Sequence, residues 1–279
     1  MNGMVAVVWL LMFPRNATVD DVALGQSMGL SDEARRRILS VRGEPLFLAH
    51  WERALFMHFE VDPDALRRAA PFELELRDGR AIISLVAFTM RDMRPRLGGW
   101  AGRWMFKPIA AHPFLNVRAY VRHRGEAGIC FLAEWLSNWL SVQLGPRIYG
   151  LPYRFAKIDY HHAHETNEFN GTVVSPKSGG RFSYTAKLSS DAFAPCPAGS
   201  FDEFLLERYT CFNQGKTTHR FFRIWHPPWP QTRAEVTIKD DSLITNAWPW
   251  FRGARYIGAN YSPGFADVWM GRAQDCKTI

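Results

Sequence analysis

The residues best suited to chemistry lie together in one short segment, residues 145–157. Glycine and proline stand on both sides of Tyr149 and predict a tight bend. Tyr153, Arg154 and Lys157 follow the bend directly. A bend that aims a phenol and a guanidinium at one point predicts a clamp for a small ligand. A carboxylate or another anionic headgroup would suit it, because Arg can bind such a group through two parallel hydrogen bonds.

Histidines offer a second, weaker possibility. His161, His162 and His164 are the only close group of histidines in the sequence. On a strand, His162 and His164 share one face, and two imidazoles can begin a metal site. A solvent-facing strand end produces the same pattern, so a metal protein is the less favoured alternative.

The sequence contains no phosphate-binding glycine loop, nucleophile elbow or dinucleotide fingerprint, and we therefore expect no cofactor. The four cysteines are too far apart for a zinc or redox motif. We interpret them as reduced thiols and expect a cytoplasmic protein.

The charge balance of the 279-residue chain is basic, with 34 Lys plus Arg against 27 Asp plus Glu. No basic run is longer than Arg35–Arg37, and the other cations are scattered among acids, so we expect no nucleic-acid partner. The apolar stretch from Val5 to Phe13 is too short to span a bilayer, and we expect no membrane partner. Met1 and Met28 are both plausible starts.

Two regions are predicted. Residues 1–44 form an N-terminal extension with a short helix after Ser31, and residues 45–279 form a single domain. Residues 54–61 and 81–90 are predicted strands, and residues 91–113 a loop. A helix is predicted to begin with Asp62 as its cap, and Asp78-Gly79 predicts a hairpin.

The alternation of apolar and polar residues that is typical of a strand is clearest over residues 115–122. Leu115 and Val117 are predicted to point to one face, and Asn116 and Arg118 to the other. A capping box at Ser200–Glu203 predicts a helix that runs to about Cys211. Hairpins outnumber helices and no strand–helix–strand alternation appears. The predicted fold class is α+β and mainly antiparallel, a barrel or cone with a few short helices.

Four segments carry a resemblance to a known family. They are residues 61–71, 115–121, 145–157 and 204–209, and their order and content resemble the YqjF-like family of uncharacterised bacterial proteins. That family is similar in turn to acetoacetate decarboxylase, which shares the aspartate-led helix and the central bend that ends in Pro152. The resemblance implies an antiparallel barrel or cone around a small-molecule cavity, often in a homo-oligomer.

Most of the decarboxylase's functional groups are lost in this chain. Its two lysines, of which the first forms a Schiff base, correspond to Tyr153 and Arg154. A phenol cannot form an imine, so the resemblance does not extend to Schiff-base decarboxylation. Two cavity carboxylates correspond to Val86 and Phe114. An arginine near the start of the domain corresponds to Glu52, with Arg53 adjacent.

Three functions follow as hypotheses. The first is a ligand-binding protein that lacks the catalytic amine and holds a small, anionic organic molecule. The second is an enzyme in which Tyr153, with its pKa lowered by Arg154, acts as a general acid or base on a carbonyl compound, in an enolisation, cyclisation or dehydration. The third is the metal protein. The predicted ligand-binding residues are Tyr149, Tyr153, Arg154, Arg118, Arg53 and Lys157.

Overall fold

A computed structural model describes residues 29–215 and 218–278. The stretch from Val5 to Phe13 and both candidate starts, Met1 and Met28, lie outside the described residues. Among the described residues, no helix is both long and apolar enough to cross a membrane. The helices are α1 (Leu30–Leu39), α2 (Pro63–Ala69), α3 (Gly99–Phe106), α4 (Trp139–Ile148), α5 (Phe201–Leu206) and α6 (Ser242–Ala247), with 3₁₀ turns at Lys107–Ile109, Pro249–Gly253 and Cys276–Thr278.

Strands form about half of the described chain. In chain order they are β1 (Phe47–Val61), β2 (Glu73–Leu74), β3 (Ala81–Pro95), β4 (His112–His123), β5 (Glu126–Leu136), β6 (Tyr153–Phe155), β7 (Lys157–Ala163), β8 (Glu168–Val174), β9 (Arg181–Leu188), β10 (Thr210–Gln214), β11 (His219–Trp225), β12 (Thr232–Asp240), β13 (Arg255–Met270) and β14 (Gln274–Asp275).

Seven strands close into a ring. Neighbouring strands pair in the order β11, β10, β5, β4, β3, β1, β13, and β13 pairs again with β11 at Met270–Ile224. All these pairings are antiparallel except that of β10 with β5. The predicted mainly antiparallel fold is therefore confirmed, with strands arranged in a ring.

Four further strands extend the sheet beyond the ring. From β13 the sheet continues through β12, β9 and β8 to β7. The apolar face of β4, including Leu115 and Val117, is fully buried together with Phe182 and Tyr184 of β9. The other face of β4 points into the ring. Asn116 and Arg118 are buried there as well, so the alternation in β4 separates an outer core from the interior of the ring.

Local signals placed several elements correctly. The Asp62 side chain accepts a hydrogen bond from the Asp64 N–H at 2.8 Å and caps α2. Asp78 and Gly79 both have positive φ and connect the bridged pair Arg77 and Arg80, as the predicted hairpin requires.

Other expectations about the elements were wrong. Residues 91–113 are not a loop, because β3 continues to Pro95 and α3 follows. Helix α5 ends at Leu206 rather than near Cys211, since Glu207 leaves the helical conformation and its carboxylate accepts the Trp229 N–H at 2.8 Å.

The described part of the predicted extension is attached to the body of the domain. Ala34 and Ile38 of α1 are buried, and the Arg35 guanidinium lies 5.6 and 5.5 Å from the ring centres of Trp225 and Trp269. We expect this cation–π contact to contribute about 1 kcal/mol to the docking of α1.

Candidate functional site

A cavity of about 190 Å³ lies inside the ring. Its walls are mostly apolar and aromatic, and Phe106 of α3 and Leu144 of α4 close one side. Val86 and Phe114, the two positions at which the resemblance predicts lost carboxylates, both line it. A cavity of this composition suits a small organic molecule with a large apolar part.

A row of side chains crosses five neighbouring strands in the cavity wall. Phe56 pairs with Val86, Val86 with Asn116, Asn116 with Glu134, and Glu134 with Tyr153. Residues paired across strands point to the same face of a sheet, so strand register brings these five side chains together. All five line the cavity.

Glu134 is the most unusual member of the row. It is 4% exposed, and its Oε2 atom has no hydrogen-bond partner among the described residues. Burial raises the pKa of this carboxyl well above its usual value. Burial therefore favours the protonated form of Glu134, and a protonated carboxyl can donate a hydrogen bond into the cavity.

Tyr153 lies beside Glu134, and Gly145 makes room for its ring. A Cβ atom at residue 145 would lie 2.3 Å from Cε2 of Tyr153, so no larger residue fits there without displacing the ring. Burial, and then the charge that Glu134 and Tyr149 would carry, raise the pKa of Tyr153. The expectation that Arg154 lowers this pKa was wrong, and the raised pKa favours the protonated phenol over the phenolate.

Arg118 places a cation at the cavity, two residues along β4 from Asn116. The side chain is 7% exposed; Nη2 donates to the Leu205 carbonyl at 2.6 Å, and the guanidinium lies 5.1 Å from the centre of the Phe56 ring. Its Nε atom is buried without a partner, and no described carboxylate forms an ion pair with it. Glu207 interacts with this cation electrostatically without forming an ion pair. A buried cation without a paired carboxylate is costly, and an anionic ligand would lower that cost.

His112 adds a further neutral polar group to the wall. Both ring nitrogens are buried without hydrogen-bond partners among the described residues. Burial lowers the pKa of His112 to about 4, so the imidazole is neutral at pH 7. It can donate through one nitrogen and accept through the other.

The predicted site residues divide into two groups. Tyr149, Tyr153 and Arg118 line the cavity, although the Tyr149 hydroxyl donates to the Gly271 carbonyl at 2.9 Å and presents its ring rather than its oxygen. Arg154 faces the other side of the short strand β6, 5.4 and 5.5 Å from the ring centres of Trp135 and Trp248.

Lys157 and Arg53 also lie outside the cavity. The strand is interrupted at Ala156, which is buried in the outer core, and Lys157 is exposed at the start of β7. Arg53 is exposed at an irregularity of β1, where its carbonyl accepts a hydrogen bond from Nδ1 of His162 at 2.8 Å. Glu52 forms an ion pair with Arg91 at 2.9 Å.

The histidine pair does not form a metal centre. Nδ1 of His162 donates to Arg53, and Nε2 accepts from the Tyr184 hydroxyl at 2.7 Å, so both ring nitrogens are occupied. His164 follows the end of β7 and contacts the Tyr261 hydroxyl at 3.2 Å. Within residues 29–215 and 218–278, no group of three or more His, Cys, Asp or Glu side chains could hold a metal ion.

Sequence reasoning missed Glu134, Asn116 and His112 as cavity residues. The signal for Glu134 was a single acid inside the apolar run of residues 129–136. An acidic residue in such a run lies either at a turn or in a buried position, and a buried acid is uncommon enough to indicate a specific role. Glu134 and Tyr153 are 19 residues apart in the sequence, so the sequence did not indicate that β5 and β6 are neighbouring strands.

Comparison with known proteins agrees with this architecture. Residues 48–251 match the family DUF2071, described as "Uncharacterized conserved protein (COG2071)". The chain belongs to this family. A relative of known name is the uncharacterized protein YqjF of Bacillus subtilis (strain 168), which is 28% identical over 212 residues that cover 69% of this chain and 78% of YqjF. The predicted relationship to the YqjF-like proteins is confirmed.

Solved structures of low sequence identity share the fold. Acetoacetate decarboxylase from Legionella pneumophila has a TM-score of 0.56 at 14% identity and covers 82% of this chain and 86% of its own. An acetoacetate decarboxylase-like enzyme from Sphingomonas wittichii RW1 has a TM-score of 0.56 at 16% identity, with 83% and 94% covered. The enduracididine biosynthesis enzyme MppR, complexed with pyruvate, has a TM-score of 0.56 at 14% identity, with 85% and 93% covered. The DUF2071 chain therefore has the acetoacetate decarboxylase-like fold.

Proposed function

We propose that this DUF2071 protein binds a small organic molecule with a carboxylate or similar acidic group, and that Arg118 is the residue that holds this group. The observation that carries the proposal is the buried guanidinium at the wall of an apolar cavity, with an unpartnered Nε and no described carboxylate paired to it. Of the two predicted cations, the proposal retains Arg118 and drops Arg154, because Arg154 faces away from the cavity.

The test compares a carboxylic acid with its uncharged amide. Phenyl- and alkyl-substituted acids and the matched primary amides are titrated against the protein by calorimetry. Arg118→Met should weaken binding of the acid about 10- to 150-fold, the range for a hydrogen bond to a charged group, and that of the amide much less. Arg118→Lys keeps the charge and should recover part of the affinity.

Arg154→Met is the matched control. Its guanidinium lies over aromatic rings outside the cavity, so both ligands should bind this variant as they bind the wild type. Equal losses for acid and amide in Arg118→Met, or loss of acid binding only in Arg154→Met, would refute the proposal.

A second candidate function is proton-transfer chemistry on a carbonyl compound, favoured by the pairing of Glu134 with Tyr153. The raised pKa values of both groups favour two O–H donors side by side in this mostly apolar cavity, and both could donate to one carbonyl oxygen. Such donation stabilises the enolate formed when the adjacent carbon loses a proton to a base from solvent.

Deuterium exchange tests this function without knowledge of the substrate. Alkyl and aryl ketones are incubated with the protein in D₂O, and loss of the α-proton signal is followed by NMR. Glu134→Gln and Tyr153→Phe should each slow the exchange about 100-fold or more, whereas Tyr160→Phe, outside the cavity, should not. Exchange no faster than in buffer would exclude this activity for the ketones examined.

A further inference from the structure

The outer sides of α3 and α4 expose large aromatic side chains. Trp100, Trp104 and Trp139 are 83%, 70% and 65% exposed, whereas all other tryptophans of the described residues are buried or half-buried. Exposed apolar patches on soluble chains commonly mark a surface that contacts a partner. Three exposed tryptophans from two neighbouring elements therefore indicate a surface that binds another molecule.

The close packing of α3 against β3 leaves the Trp100 and Trp104 rings on the outer side of the helix. Gly102 is the only buried residue of α3, and a Cβ atom there would lie 2.7 Å from Cγ of Pro95, so the helix rests closely on β3 through its glycine. Trp100 and Trp104 are one turn apart and share a side of α3.

Helix α4 continues the same surface. The Asn138 side chain, which caps α4, donates to the Pro108 carbonyl in the turn after α3 at 2.7 Å. We define the tryptophan face by Leu97, Trp100, Trp104, Met105, Trp139 and Leu140, all of which are exposed.

The two segments that form the tryptophan face contribute cationic but no acidic side chains. Residues 97–112 and 135–158 contain five Lys and Arg and no Asp or Glu. Arg103 pairs with Asp92, but Lys107 and Arg147 are exposed and have no ion pair among the described residues. Tryptophan beside Lys and Arg is the composition of surfaces that lie in the headgroup region of a bilayer.

We propose that the tryptophan face binds the surface of a bilayer that contains anionic lipids. The tryptophans would enter the headgroup region, and Lys107 and Arg147 would contact lipid phosphates. A second copy of the chain is a poorer occupant, because its tryptophan face would bring the same cations and no acidic side chain from residues 97–112 and 135–158 to pair with Lys107 and Arg147. The sequence-based expectation of no membrane partner was drawn from the lack of a spanning segment, and surface binding needs none. The proposal does not depend on the cavity or its ligand.

Flotation with vesicles tests it on the full chain. The wild type is mixed with phosphatidylcholine vesicles that contain about 30% phosphatidylglycerol, and with pure phosphatidylcholine vesicles. It should float with the anionic vesicles, less with the neutral ones, and less at high salt. Lys107→Gln with Arg147→Gln should lower the affinity about 30-fold, and Trp100→Ser with Trp104→Ser at least about tenfold.

Two matched variants control for general effects. Arg68→Gln removes an exposed cation of α2, and Leu39→Ser an exposed apolar side chain of α1; both should float like the wild type. A wild type that stays at the bottom of the gradient with anionic vesicles overturns the proposal. So does a wild-type dimer in light scattering that Trp100→Ser with Trp104→Ser makes monomeric while vesicle binding is unchanged, since the face would then contact a second copy.

Discussion

The raised pKa of Glu134 predicts a specific dependence of stability on pH. Burial raises the pKa of Glu134 in the folded chain, whereas the unfolded chain retains a pKa near 4.5. Below that value Glu134 is protonated in both states. Above it the unfolded chain ionises and the folded chain does not, so ionisation favours unfolding. The free energy of unfolding then falls by about 1.4 kcal/mol for each pH unit until the folded-state pKa is reached.

Glu134→Gln removes this pH-dependent loss of stability, because glutamine does not ionise and has nearly the same shape as glutamic acid. Near pH 4 the variant and the wild type should differ by only about 1 kcal/mol, the scale of one changed hydrogen bond. With rising pH the variant should become progressively more stable than the wild type, by the same increment of about 1.4 kcal/mol per pH unit. Urea unfolding at a series of pH values measures both free energies.

Glu235→Gln is the control for this series, because Glu235 is exposed and its substitution should leave the pH dependence unchanged. A difference between Glu134→Gln and the wild type that is constant over the whole pH range would refute the reasoning. Glu134 would then be ionised in the folded chain, and the proton donor of the second candidate function would be lost with it.

Two further predictions concern packing and acid. Gly145→Ala should lower the free energy of unfolding by about 1–3 kcal/mol, because its Cβ would displace the Tyr153 ring, whereas Gly253→Ala, with nothing within 4 Å, should have little effect in urea unfolding. Buried histidines such as His112 and His162, each with a pKa lowered to about 4, should make the fold acid-sensitive. Each histidine should lower the free energy of unfolding by about 1.4 kcal/mol per pH unit as pH falls from about 6.5 to about 4. NMR titration of the imidazole signals should show both side chains neutral at about pH 6.

The fold could be predicted wherever one face of an element has a clear pattern. The alternation of β4 and the Asp62 cap of α2 depend on neighbouring residues alone, so the sequence indicates them directly. Strand β13 was missed for a physical reason. Gly264 interrupts its apolar pattern, and a Cβ atom there would lie 1.9 Å from the Trp51 carbonyl, so the glycine marks a close approach to β1 rather than a turn.

The cavity was harder to predict than the fold. Position 153 could be found because Gly150 and Pro152 mark a turn before it, although Gly145 and Pro146, which were predicted to belong to the same bend, lie inside helix α4. Which neighbour of Tyr153 faces the ligand depends on the break at Ala156 and on pairing with β5, and neither is visible in a single sequence. Arg118 and Arg154 look equivalent as sequence, yet one lies inside the ring and the other outside.

The row from Phe56 to Tyr153 has a consequence for divergence within the fold. Each strand supplies one position, and strand pairing depends on the backbone rather than on the side chain at that position. One substitution can therefore change the chemical character of the cavity without altering the register. Such a fold can change its chemistry faster than its architecture, which agrees with TM-scores of 0.55–0.57 at 13–16% identity among its structural neighbours.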